Sequence, residues 1–503
     1  MDHFQESQRL RGLSTGFEKS FDLVYLLAAL PFAWVVSRNI ALALRFEDAL
    51  IVLRYARNIA DGHGFVFNYG ERLLGVTTPL HTLISAVFVY FGKEHAPAVQ
   101  NVAGVIFLVL EAWVATRIVR RTHSALLAGL VAVMLLSNLN FNYLYFGMET
   151  HFFAFLILLA FHLFTLRKEA MTGLVLGLAF LTRFDAALLA LLVGVACIAE
   201  KRKPPIALIA AFSAVVAPWL LFSLWYFHSI LPASLGAKKD YYPVLGYLRF
   251  VFEYYQKYFA AMAGVYTSSG VAQGTASTLF PAIAFAGCFR LVRSAWQYVV
   301  LIGYAAGQVV VYAVIGPDPG FHWHYYPLNP VLTILFLVGL YELAALGLRF
   351  VSRRGWPDRW PSAELLLSAG VLAGIVLAAA HLVRTLDYRY ELDPHSRQLY
   401  EIGDWLNERY DDETSLLQPS IGILGYATNM RMIDHAGLVT PGLYYYDGSR
   451  HTPMTEVLSR FQPDLVLVPE GAEEALPRFG YELVTTFREP RTYLLYQRGS
   501  RTP

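Results

Sequence analysis

Apolar runs close to the thickness of a bilayer recur along the whole chain, with the charges gathered into short clusters between them. The runs lie near 22–44, 79–92, 97–116, 124–138, 149–166, 171–182, 184–199, 206–227, 278–292, 296–315, 327–348 and 362–383. A helix crossing the hydrocarbon layer needs about 20 residues, and inside lipid each backbone polar group must be paired within the segment. The pattern excludes an ordinary soluble globule and predicts a polytopic α-helical membrane protein of about eleven transmembrane helices. Of 503 residues 56% are hydrophobic and 16% charged, and the formal net charge is only +2. So small a cationic excess, divided among separate clusters, gives no stripe for a nucleic acid, and no such partner is expected. Cys197 and Cys288 both fall inside apolar segments, which argues against a disulfide framework or a cysteine metal site.

The basic clusters "RIVRRTH", "LRKE", "EKRKPP", "RLVR" and "RFVSRRGW" share the cytoplasmic side only if one early run does not cross. The best candidate is 79–92, too short to span upright and so read as re-entrant or interfacial. Arg9, Arg11 and Lys19 place the N-terminus inside. The stretches 45–78, 138–148, 228–277, 316–326 and 384–503 then face outward. A multi-pass protein of the inner (cytoplasmic) membrane is predicted, with its polar chemistry on the periplasmic or extracytoplasmic side. From about 385 the pattern changes to one amphipathic helix, "SRQLYEIGDWLNERY", and short β-prone runs such as "DLVLVP" and "TYLLYQR". The chain divides into a membrane domain, 1–384, and a soluble C-terminal α/β domain, 385–503. No internal repeat is visible.

Six groups of residues carry candidate chemistry. In "EDALIVLRYARNIADG", Arg54, Arg57, Asn58 and Asp61 recur at helical spacing, predicting an amphipathic helix on the outer membrane surface that Gly62 and Gly64 terminate. Asp48 is a natural N-cap; with Glu47 it also offers carboxylates to deprotonate a hydroxyl, beside arginines able to hold a phosphate. Lys238 and Lys239, among His228, Tyr241 and Tyr242, read either as interfacial lysines or as a phosphate clamp. In "GPDPGFHWHYYP", His322 and His324 would share one face of an extended strand, while Trp323 and Tyr325 fit an aromatic belt or a sugar-stacking surface. Glu149, in "FGMET", precedes a span, and either complements that helix's dipole or faces the substrate. In "TRFD", Arg183 and Asp185 sit at the bilayer boundary between two apolar runs, as an ion pair or as part of a site. In the C-terminal domain, Asp434 and His435 are candidates for substrate contact, with turn capping the alternative for Asp434.

At these residues the sequence resembles the GT-C superfamily of polyprenyl-phosphosugar glycosyltransferases, and within it the terminal arabinofuranosyltransferase family of mycobacterial cell-wall arabinan. That family shows an Asp-Asp-Ala-Tyr motif, an R-Y-x-R-N helix, a G-x-G-x-V-F-N-x-G-E turn and a segment ending in Pro-Leu. Here these stand as "EDALI", "RYARN", "GHGFVFNYGE" and "GVTTPL", followed by "GMET", "TRFD", "LPASLGAK" and "DHAGL" in the same order. The resemblance implies inverting transfer of a sugar, such as arabinofuranose, from a polyprenyl-phosphate donor to a hydroxyl of an envelope glycan or glycolipid. It implies Asp48 as general base with Glu47 as neighbour or replacement, and Arg54, Arg57 and Lys238 at the lipid phosphate. Glu47 departs from the family's first Asp and Leu50 from its usual aromatic, which leaves the choice between the two acids open. The need for a divalent cation is also left open. The competing reading is a transporter or flippase of lipid-linked sugars, which predicts an internal repeat and charges distributed through the helices.

Overall fold

The computed structural model describes residues 2–40, 47–138, 145–234, 243–262, 270–317, 320–353, 361–386, 391–418, 421–435, 437–440, 442–443 and 452–499. Helices α1 (Asp2–Ile40), α2 (Glu47–Ala60), α3 (Pro79–Phe91), α4 (Ala96–Val119) and α5 (Ala125–Ser137) open the chain. They are followed by α6 (Thr150–Thr165), α7 (Glu169–Thr182), α8 (Ala186–Lys201), α9 (Ile206–Phe227) and α10 (Val244–Met262). The membrane part closes with α11 (Gly270–Ser294), α12 (Tyr298–Ile315), α13 (Asn329–Ser352) and α14 (Ala363–Leu386).

Among the described residues six of these segments are long and apolar enough to cross a membrane, and α3, α5, α6 and α7 are shorter apolar helices. Ile40, Val105, Leu108, Leu158, Phe161, Leu189 and Leu301 belong to one continuous core between them. Small residues let the helices approach closely. A Cβ on Gly173 would stand 2.1 Å from the Leu208 carbonyl oxygen, so the Gly173/Gly177 face of α7 lies directly against α9. Gly287 and Gly339 do the same for α11 and α13, where an added Cβ would meet the opposite backbone within 2 Å. The "TRFD" stretch is the tight turn between α7 and α8, as its sequence predicts.

The C-terminal part holds α15 (Pro394–Asn407), β1 (Ser415–Leu417), α16 (Ile421–Ala427), β2 (Arg431–Ile433), α17 (Met454–Phe461), β3 (Leu465–Pro469), β4 (Tyr481–Phe487) and β5 (Tyr493–Arg498). Asp393 caps α15 by accepting the Ser396 N–H, with Pro394 at the first helical position, where a missing N–H costs nothing. The sheet runs in the order β2-β1-β3-β5-β4, with β1 parallel to β2 and β3, and β5 antiparallel to β3 and β4. Its strands alternate in the expected period of two. Leu416, Met432, Leu465, Leu467 and Leu495 face a core shared with Leu50, Leu53, Phe65 and Phe67 of the membrane domain. Leu417, Ile433, Val466, Val468 and Leu494 face Val457 and Leu458 of α17.

This shared core corrects the expectation for α2. Its polar face does not lie open on the membrane surface; Arg54, Arg57 and Asn58 are all buried, with α16 packed over them. Gly422 and Gly425 make the approach possible, since a Cβ at Gly422 would stand 2.0 Å from the Glu47 carbonyl oxygen and one at Gly425 2.9 Å from the Phe67 ring. Gly62 and Gly64, with φ of 84° and 90°, end α2 as predicted.

Candidate active site

A cleft of about 220 Å³ opens where α2, α3 and the start of α6 converge. Asp48, Ile51 and Val52 of α2 form one wall, Thr77, Thr78 and His81 the floor, and Met148 and Glu149 the side facing Asp48's helix. Ser234, Phe321, Trp323 and, from the C-terminal domain, Leu438 complete it. The two domains therefore build one cavity.

Successive residues on a helix point about 100° apart, and this separates the two acids that the sequence left interchangeable. Asp48 points into the cleft, where among the described residues it has neither a hydrogen-bond donor nor an ion-pair partner. Glu47 points the other way. Its carboxylate accepts the N–H groups of Gly422 and Ile423 at 2.5 and 3.1 Å, at the N-terminus of α16. Burial pushes the Glu47 carboxyl up from the usual 4.5 to about 7, against the lowering effect of the two N–H donors.

The arginines expected at a lipid phosphate are likewise engaged with the C-terminal domain. Arg54, 1% exposed, donates from Nη1 to Gly425 O, from Nη2 to Met430 O and from Nε to Phe67 O, at 2.5, 2.6 and 2.8 Å, and lies over the Phe67 ring. Arg57 donates to the carbonyls of Tyr426 and Thr428 at 2.7 and 2.9 Å. A guanidinium satisfies several converging carbonyls at a helix C-terminus well, because its donors form a fixed fork. Neither arginine lines the cleft. Their role is to bind α16, which is gripped by Glu47 at one end and by the arginines at the other.

Arg183 is also saturated. Nε and Nη2 bind the Asp185 carboxylate at 3.3 and 3.1 Å, Nη2 also binds the Tyr312 hydroxyl at 2.9 Å, and Nη1 binds Trp323 O and Glu149 Oε1 at 3.0 and 3.4 Å. Asp185 also accepts from Gln308 and Tyr312. All five guanidinium N–H groups are accounted for, leaving none for a phosphate. Arg183 and Asp185 are the ion pair of the two alternatives. The pair fixes Glu149, which is only 5% exposed yet lines the cleft, and the backbone of Trp323 beside it.

The His-Trp-His segment forms a 3-10 turn, not a strand, so His322 and His324 are not placed on one face. His324 stacks on Tyr312, His322 lies near Tyr254, and Tyr325 packs among Tyr247 and Tyr254. Trp323 alone of this group reaches the cleft, stacked on Phe321 at 4.7 Å. Asp434 is fully buried and accepts the Leu438 and Val439 N–H groups, which makes it the turn-capping residue that carries Leu438 into the wall. His435, next to it, accepts the Thr452 N–H with its carbonyl and does not line the cleft. Lys238 and Lys239 lie outside the described residues. No group of three or more potential metal ligands occurs among the described residues.

His81 lies outside the motifs that stand out in sequence. Thr78, Ser234, Phe321 and Leu438 sit inside the "GVTTPL", "LPASLGAK", "GPDPGFHWHYYP" and "DHAGL" stretches, so for them a signal is present without a role attached.

Residues 387–497 match a family model described as a domain of unknown function, DUF8728. A search of curated proteins finds no match to the chain. Among solved structures, ArnT from Cupriavidus metallidurans bound to undecaprenyl phosphate superposes with a TM-score of 0.60 at 15% identity, over 95% of this chain and 98% of that one. The archaeal oligosaccharyltransferase AglB from Archaeoglobus fulgidus, in complex with an inhibitory peptide and a dolichol-phosphate, gives 0.57 at 12% identity, over 97% and 75%. The chain is thus a multi-pass membrane protein of the GT-C fold. It shares that architecture with nearly the whole of ArnT and with three quarters of AglB.

Proposed function

We propose that the protein is an inverting glycosyltransferase that moves a sugar from a polyprenyl-phosphate donor to a hydroxyl of a cell-envelope glycan or glycolipid. The observation that carries the reading is the carboxylate of Asp48, unpaired in a cleft of a fold shared with ArnT bound to undecaprenyl phosphate. Asp48 takes the proton of the acceptor hydroxyl as its oxygen attacks the anomeric carbon. The lipid phosphate leaves from the opposite face, which inverts the configuration. Phe321 and Trp323 offer a flat apolar wall for a sugar ring. Glu149, held by Arg183, places a second carboxylate in the cleft to accept sugar hydroxyls. The sequence resemblance favours a pentofuranose such as arabinofuranose, and the charge pattern favours an extracytoplasmic site in the inner membrane.

The test is transfer from synthetic polyprenyl-phosphate arabinose and hexose donors by the purified protein. Asp48→Asn is expected to lower turnover by roughly 10²–10⁴-fold, the usual contribution of a general base. Unimpaired transfer by this variant would remove Asp48 from the role; lipid movement across liposomes without transfer to any acceptor would favour a flippase.

A further inference from the structure

The floor of the cleft is the first turn of α3, and some of its polar groups have no partner among the described residues. Thr78 is the N-cap residue and Pro79 the first helical residue. The Thr82 N–H bonds Thr78 O at 3.0 Å, so the first-turn amides with no acceptor inside the helix are those of Leu80 and His81. The Thr78 hydroxyl, on a residue 5% exposed, does not cap the helix and has no hydrogen-bond partner among the described residues. The Ser234 hydroxyl on the same cleft is also buried and has no hydrogen-bond partner among the described residues. Buried hydroxyls are normally satisfied, and two unsatisfied ones lining a cavity point to a ligand.

His81 adds a donor whose proton is fixed by its neighbour. One N–H of the Gln100 side chain goes to Gly147 O and the other to His81 Nε2 at 2.8 Å. Nε2 is also 3.4 Å from Gly147 O, but a proton on Nε2 would face the Gln100 N–H. Nε2 is therefore the acceptor, and the neutral ring carries its proton on Nδ1. His81 lines the cleft, and Nδ1 has no protein partner among the described residues.

Building on the glycosyl-transfer reading, we infer that Thr78 and His81 seat the phosphate of the lipid-linked donor, His81 donating from Nδ1 and Gln100 acting as the positioning residue that keeps the proton there. All these groups are donors, and they sit at a helix N-terminus, which favours an anion. Among the described lining residues there is no lysine or arginine, and the donors found there are neutral. The same contacts stabilise the charge that gathers on the phosphate as it leaves.

The test measures binding of undecaprenyl phosphate to the purified full-length protein in nanodiscs, without acceptor. His81→Ala and Gln100→Leu are expected to weaken binding about 10- to 100-fold, the range for a hydrogen bond to a charged group. Asparagine carries an N–H donor close to the position of Nδ1 and glutamine close to that of Nε2. His81→Asn is therefore expected to bind nearly as the wild type does and His81→Gln as poorly as His81→Ala. A His81→Gln variant that binds as well as His81→Asn, or His81 variants that bind like the wild type, would overturn the seat while leaving the transfer reading intact. Competition by inorganic phosphate as strong as by the lipid would overturn the lipid assignment. Failure of the wild type to bind or use any polyprenyl phosphate would instead overturn the transfer reading itself.

Discussion

Glu47 and Asp48 are neighbours with opposite assignments, and mutating each tests the division. Glu47→Gln keeps an acceptor for one of the Gly422 and Ile423 N–H groups and loses the other, but it leaves Asp48 in the cleft, so it is expected to lower transfer far less than Asp48→Asn. It should, however, change the pH dependence of stability. The folded protein holds a proton on Glu47 up to about pH 7, whereas a free glutamate has lost it above about 4.5. Between those values the folded state binds the proton and the unfolded state does not, so this group's contribution to stability falls as pH rises and levels off above 7. Thermal unfolding of the wild type followed from pH 5 to pH 8 should show that fall, and Glu47→Gln should flatten it. Arg54 is the costliest residue of the same contact. Arg54→Met leaves the carbonyls of Gly425, Met430 and Phe67 without their donor, each buried unsatisfied group costing about 1–3 kcal/mol. Limited proteolysis should release the C-terminal domain of this variant well before that of the wild type; an unchanged cleavage rate would argue against the role given to Arg54.

The contact between α2 and α16 depends on missing side chains as much as on charges. Gly422→Ala would bring a Cβ to 2.0 Å from the Glu47 backbone oxygen, and backbone has little room to yield. The expected result is separation of the two helices, a lower unfolding temperature and, because Leu438 then leaves the cleft wall, reduced transfer; a variant with wild-type melting and turnover would contradict it. Sequence periodicity predicted α2, its glycine stop and the turn at Arg183 correctly, because helical spacing and glycine are local signals. It could not show what covers the polar face. A stripe of arginines at helical spacing looks the same whether it meets lipid phosphates, solvent or the carbonyls of a second domain, and only the fold supplies the partner. For the same reason the sequence leaves the geometry at His322–His324 open, since two polar residues two apart carry no signal that separates an extended strand from the 3-10 turn found there.

At the scale of the molecule, the apolar runs and the change of pattern near residue 385 made the membrane part and the α/β part legible. The cleft was legible only in pieces. Asp48, Glu149, Trp323 and Leu438 come from motifs that stand out in sequence, but His81 sits in a mostly apolar helix outside them. What joins them is tertiary. The shared core of Leu50, Leu53 and Phe67 with Leu416, Ile423 and Leu465 makes the two parts one folding unit around the site. Arg54 and its partner Gly425 are 371 residues apart, and this separation has a consequence for synthesis. A ribosome must release nearly the whole polypeptide before the buried guanidinium can meet its carbonyls, so the nascent chain carries an unfinished cleft until the end. A chain stopped at residue 386 should be inserted but inert and quickly degraded, and pulse-chase labelling would show it. Premature termination would then leave no half-built cleft standing in the membrane.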